Sequence, residues 1–115
     1  GLWIRDEIDG KINITNADRI NKNQLINVSI VQFDKYFNLI QTIQSKKVNI
    51  KSKNWYIDNP QVTKNNITSE LDFINFNSNF NIDIINNLFS NLSSMSLLQL
   101  NKLKKDYDRL GYSSV

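Results

Sequence analysis

Residues 24–33 read Gln-Leu-Ile-Asn-Val-Ser-Ile-Val-Gln-Phe, and no other stretch constrains the fold as strongly. Ile26, Val28 and Ile30 alternate with Asn27 and Ser29. A repeat of two residues puts the three apolar side chains on one face of an extended strand, whereas a helix would scatter them around its axis. The other face becomes apolar only at Val31 and Phe33. Similar runs flank this one. Leu2 to Arg5 is short and apolar, and Asp9-Gly10 is a hairpin signal leading into Lys11-Ile12-Asn13-Ile14-Thr15, with Ile12 and Ile14 on one face and Asn13 and Thr15 on the other. Asn21-Lys22-Asn23 and Asp34-Lys35-Tyr36 are polar turns, the second feeding a return strand from Leu39 to Gln44. Val48 and Ile50 alternate with Lys47, Asn49 and Lys51, and the turn Ser52-Lys53-Asn54 precedes Trp55-Tyr56-Ile57. Pro60 cannot donate to a ladder and belongs at a strand end or edge. Val62, Ile67, Leu71, Phe73 and Phe76 continue the series with weaker patterning.

Short strands with turns every ~8–12 residues and no helix between them predict a mainly β fold, an antiparallel sandwich or barrel. This β domain is expected over residues 1–95, and a C-terminal amphipathic helix over 96–115. Ile84 to Phe89 fits a helical turn or a last strand equally well. Ser96 is a good N-cap with Gln99 three residues on. Leu100, Leu103, Tyr107 and Leu110 then form one apolar stripe, Lys102, Lys104, Lys105 and Arg109 fill the other faces, and Gly111 stands where a helix ends.

Composition narrows the chemistry. The chain has 115 residues, no histidine and no cysteine, three glycines and one proline. The commonest general base, the commonest zinc ligand, the thiolate nucleophile and disulfides are therefore all missing, as is any glycine-rich phosphate loop. A non-catalytic protein without a cofactor or a metal is the expectation. The net charge of +3 is a mild basic excess carried mostly by scattered lysines. Asn is the conspicuous surplus, with Ile and Lys behind it, the footprint of an AT-rich genome. Four N-x-S/T sequons, at Asn13, Asn27, Asn66 and Asn91, follow from that surplus and carry little weight. There is no signal-peptide pattern and no apolar run of the ~18 residues that a membrane span needs. The abrupt start on Gly1-Leu2-Trp3-Ile4 reads as a piece of a longer chain.

Asp6-Glu7 is the best candidate for acid–base work, but neighbours on a strand point to opposite faces, and a solvated turn is the better reading. Asp18, Asp34, Asp58, Glu70, Asp72 and Asp83 make no calcium-loop pattern. Lys46, Lys47, Lys51 and Lys53 lie near Trp55 and Tyr56, the mixture that single-stranded nucleic acid requires. Trp55 is in phase with Ile57, however, which favours a core role.

Taken in order, several segments resemble the periplasmic domain of the lipopolysaccharide-export permeases, the LptF/LptG family. Gly1-Leu2-Trp3-Ile4-Arg5-Asp6 is similar to the family's G-x-W-x-[RK]-[DE] start after a transmembrane helix. Residues 25–34, Leu-Ile-Asn-Val-Ser-Ile-Val-Gln-Phe-Asp, resemble its L-x-x-V-x-I-[YF]-x-[FL]-[DN] strand, and Trp55-Tyr56-Ile57-Asp58-Asn59 its W-x-L-x-[DN] strand. Ser96-Leu97-Leu98-Gln99-Leu100 through Leu110-Gly111-Tyr112 is similar to its L-S-x-x-E-L helix, with Gln99 in place of the acid. The Trp start and the Leu-Gly helix end look more like the LptG-type subunit than the LptF-type.

The resemblance implies a jellyroll held in the periplasm by an inner-membrane protein of a Gram-negative cell. It implies a paired permease subunit, a cytoplasmic ATPase dimer reached through the membrane domain, and a single-span periplasmic jellyroll partner. Lipopolysaccharide is the implied cargo, its acyl chains sheltered on an apolar inner face. Ile26, Val28, Ile30, Val48, Ile50, Trp55 and Ile57 are the expected lining, with Lys47 and Lys51 as possible contacts to lipid phosphates. Two other readings compete: a stand-alone extracytoplasmic β-sandwich for protein–protein interaction, and a β-barrel binding single-stranded nucleic acid.

Overall fold

A computed structural model describes residues 1–93 and 112–114 of the chain. In chain order the elements are β1 (Leu2–Ile8), β2 (Lys11–Asn21), β3 (Gln24–Asp34), β4 (Leu39–Asn49), β5 (Asn54–Asp58), β6 (Gln61–Lys64), β7 (Ile67–Glu70), β8 (Phe73–Asn77), α1 (Ile82–Ser93) and β9 (Tyr112–Ser114). The fold is mainly β, antiparallel throughout and sandwich-like, with a short helix toward the C-terminal end. Of the helix predicted over 96–115, only residues 112–114 are described, and they form strand β9 paired with β1 instead of helix; the stripe from Ser96 to Gly111 lies outside the described residues. The ambiguous stretch Ile84 to Phe89 is helical, within α1. Its apolar residues Ile82, Ile85, Leu88 and Phe89 sit at helical spacing and pack on the core.

The turn chemistry behaves as the residues dictate. Asp9 and Gly10 both have positive φ, 55° and 72°, which gives a two-residue hairpin the twist of its flanking strands. Strands β1 to β4 then meander side by side, and β2, β3 and β4 are each eleven residues long. The runs around Leu39 and around Val48 are thus one strand. At its outer edge β4 branches. Its middle, Thr42–Gln44, pairs with β6 and through it β7, while its end, Lys47–Asn49, pairs with β5 and through it β8.

The branch coincides with a bend. The row formed by Asp18, Asn27 and Lys46 carries no ladder pairing, although the rows on either side do. Asn27 has φ 53°, a conformation that Asn tolerates and β-branched residues do not, and its amide donates to Asp18 Oδ2 at 2.7 Å. Crossing this row shifts the buried or half-buried inward positions by three rather than two: Ala17 to Ile20 in β2, Leu25 to Val28 in β3, Ser45 to Val48 in β4. Strands that bend in this way pass from one layer of a sandwich into the other.

This bend corrects one expectation. Ile26 is only half-buried, and Leu25, fully buried, takes the inward place on the far side of the bend. A strict period of two assumes unbroken extended geometry, and the positive φ at Asn27 breaks it. The remaining predicted inner residues are buried as expected, and the core joins Leu2, Ile4 and Ala17 to Ile50, Trp55, Ile57, Phe76, Ile82 and Ile85.

A second departure lies at the other end of the core. Asp6, Asn13, Gln32 and Gln41 stand in one cross-strand row on the inner face. Gln32 Nε2 donates to Asn13 Oδ1, and Gln41 Nε2 to Gln32 Oε1, both at 3.0 Å. Burying amides is tolerable only with partners, and this chain of side chains supplies them. Ile12 is buried on the opposite face, facing Phe33 across the ladder.

Candidate functional site

Val28, Ile30, Val48, Ile50, Trp55 and Ile57 are between 0 and 4% exposed. They form a filled interior in which each covers the others, with α1 laid across them. Trp55 is fixed further by its Nε1–H, which donates to the Phe80 carbonyl at 2.8 Å, and by Phe76, whose ring centroid is 6.2 Å away. An indole held in this way has no free face for a base, which removes Trp55 from the nucleic-acid reading, whereas Tyr56 stays about half exposed.

Asp6 is buried, not part of a solvated turn. Its carboxylate accepts from Ser78 Oγ and the Asn79 N–H, both at 2.9 Å, and from Asn79 Nδ2 at 2.7 Å. The same Asn79 amide also reaches the Glu7 carbonyl at 2.9 Å. The segment after β8 is thereby pinned to β1, more than seventy residues away in sequence, and the two layers are closed at the polar end. Glu7 points to the other face and pairs with Arg5 at 3.2 Å. The two carboxylates are separated by the sheet, as strand geometry requires, and perform no joint chemistry. Among the described residues no group of three or more acidic side chains could hold a metal ion.

Among the described residues, an open groove of about 890 Å³ lies at the branch of β4. Its floor is a straight row across four strands: Ser29, Gln44, Gln61 and Glu70 are successive ladder partners. Gln61 Nε2 donates to Glu70 Oε1 at 3.1 Å. Its other wall comes from the bend, with Lys46 and Lys47, and from the β5–β6 and β7–β8 connections, with Asp58, Asn59 and Asp72. Ser45 clasps this corner: its hydroxyl bridges to the carbonyls of Lys47 and Asp58 and accepts the Lys47 N–H. The connection is held by the Asn59 N–H on the Asp72 carbonyl at 2.8 Å and the Leu71 N–H on the Pro60 carbonyl at 3.1 Å.

The two predicted lysines are not brought together. Lys47 lines the groove beside carboxylates, whereas Lys51 lies in the β4–β5 turn outside it. No protein-family model matches the chain, and no curated protein matches it either. The geometry stands by itself: a sealed apolar interior, a polar closure at Asp6, and a polar groove on the outside.

The groove went unseen in the sequence because its residues are Asn, Gln and Ser in a chain saturated with Asn. Alternation does mark Ser29 and Gln44 as outward. Only the ladder register shows that they align.

Proposed function

We propose that this chain is the periplasmic domain of a lipopolysaccharide-export permease, a non-catalytic module that shelters acyl chains during transfer to a periplasmic jellyroll bridge. The observation that carries the reading is the pairing of β1 with β9, Leu2 opposite Ser114 and Ile4 opposite Tyr112. Antiparallel neighbours place the chain's entry and exit side by side at one end of the domain, the arrangement required of a domain inserted between two adjacent membrane segments. The sandwich with an apolar interior supports the same reading.

The filled interior sets the manner of sheltering. Acyl chains replace α1, occupying the space that Ile82, Ile85, Leu88 and Phe89 fill against the inner face. Each buried CH₂ contributes about 0.8 kcal/mol, so a few methylenes offset the loss of each such side chain. Strand β7, all four residues exposed at one end of the sheet, offers an edge on which a neighbouring jellyroll adds a strand. Hydrolysis of ATP takes place in the cytoplasmic partner, and a second permease subunit completes the path.

The parent gene tests the proposal. It should encode an apolar segment of about 20 residues ending shortly before Gly1 and another starting shortly after Val115. A parent chain with neither contradicts it. One observation favours a stand-alone interaction module instead: Tyr36, Phe37 and Leu39 at the β3–β4 turn are each more than half exposed.

A further inference from the structure

We infer that the groove at the β4 branch binds a neutral oligosaccharide, with Gln44, Gln61, Asp58 and Lys47 bonding its hydroxyls and one ring resting at the edge of the Tyr56–Phe73 pair. This inference is independent of the transport proposal.

Three features of the groove specify the ligand. The first is its donor and acceptor set. Side-chain amides both donate and accept, carboxylates accept and ammonium groups donate. Gln44, Gln61, Asn27 and Asn59 line the groove together with Asp58, Glu70, Asp72, Lys46 and Lys47. A sugar hydroxyl, itself both donor and acceptor, can pair with any of these group types. The second is charge. Two lysines face three carboxylates, so the groove offers no net attraction to phosphate or to a nucleic-acid backbone.

The third is the aromatic pair. Tyr56 and Phe73 stack at 5.2 Å between centroids with 12° between their planes, and both remain about half exposed. They stand on the outer face of β5 and β8, where Phe73 is the ladder partner of Asp58 in the groove wall. Phe73 also follows Asp72 of the groove lining, so the platform stands beside the groove without lining it. Large aromatic surface left in water beside fixed polar groups suits a ligand with an apolar ring face and a polar rim, which describes a pyranose.

The test is a two-dimensional amide NMR titration of the 115-residue chain with cellotriose, maltotriose and chitotriose, and separately with inorganic phosphate and a blocked extended hexapeptide. The expected result is saturable shifts, for at least one trisaccharide, confined to the amides of Ser29, Gln44, Lys47, Asp58 and Gln61 and to the Tyr56 and Phe73 ring signals. Gln44→Ala and Tyr56→Ala, both at exposed positions that leave the core intact, should each weaken that binding about tenfold, the equivalent of about 1.4 kcal/mol. Lys51→Ala, outside the groove, should leave it unchanged. Saturable shifts at these residues with phosphate alone, or with the peptide alone, overturn the inference in favour of an anion or a strand-like peptide. No saturable shift with any of the three sugars also overturns it.

Discussion

Replacing Asp6 by alanine removes the acceptor for three donors at once: the Ser78 hydroxyl, the Asn79 N–H and the Asn79 side-chain amide. A typical hydrogen bond contributes about 1 kcal/mol net, and a buried donor deprived of its partner costs at least as much. Three such losses amount to about 3 kcal/mol. Part of Asn79 reaches water, which keeps the cost from rising further. Asp6→Asn separates the contributions. Its amide oxygen can keep the two donors now on Oδ2, but its NH₂ then faces Asn79 Nδ2, which cannot turn its own oxygen inward without releasing the Glu7 carbonyl. The cost should be about 1–1.5 kcal/mol, one hydrogen bond and some repulsion. Urea denaturation followed by tryptophan fluorescence reads both variants. With a slope of about 1.2 kcal/mol per molar for a domain of this size, Asp6→Ala should lower the midpoint by about 2.5 M and Asp6→Asn by about 1 M. A shift below about 0.4 M for Asp6→Ala, the effect of an ordinary surface substitution, would refute the idea that this carboxylate closes the sandwich.

Further outcomes follow from other parts of the fold. Ile30→Ala should cost about 2–4 kcal/mol in the same assay because the site is fully buried, whereas Ile26→Ala should cost less than about 1.5 kcal/mol; equal losses would argue against the bend at Asn27. Asn27→Gly should be tolerated within about 1 kcal/mol, and Asn27→Val should cost about 1–2 kcal/mol more, because valine resists positive φ; equal stability of the two would contradict the left-handed backbone there. Asp34 should titrate below its ordinary value of 3.8, chiefly because its carboxylate accepts the Asn38 N–H, with the Asn38 side chain and the Tyr36 N–H adding to the effect. Because the folded value is the lower one, its stabilising contribution is complete above the ordinary value and disappears as pH falls through the lowered one. Carbonyl-detected NMR of the Asp34 side chain measures this directly, and an unshifted or raised midpoint would contradict the turn geometry.

Alternation in the sequence located most strands because each apolar residue on a half-buried strand reports its own face. Val28, Ile30, Val48, Ile50, Trp55 and Ile57 all lie where that periodicity places them. It failed where backbone geometry or partnering overrides local polarity. Asn27 shifts the phase of β3 by adopting positive φ, which no pattern of apolar residues encodes. Asp6, Asn13 and Gln32 face inward because each has a specific partner, and a partner distant in sequence cannot be inferred from one strand. The segment Ile84 to Phe89 satisfies both periodicities over so few residues that only its docking on the core decides for helix. The groove was hidden for a different reason: its polar floor is assembled by register between β3, β4, β6 and β7, and β6 and β7 are only four residues each.

The proposed lipid path is tested most directly by photocrosslinking in membranes of cells carrying the intact parent protein. A photoreactive residue replaces Val28, which faces the interior, in one variant and Ser29, on the outer face, in another. The account predicts lipopolysaccharide adducts at position 28 that depend on ATP, and none at position 29. No adduct at position 28, in a transporter shown to be active, would contradict it and leave the interior as core alone.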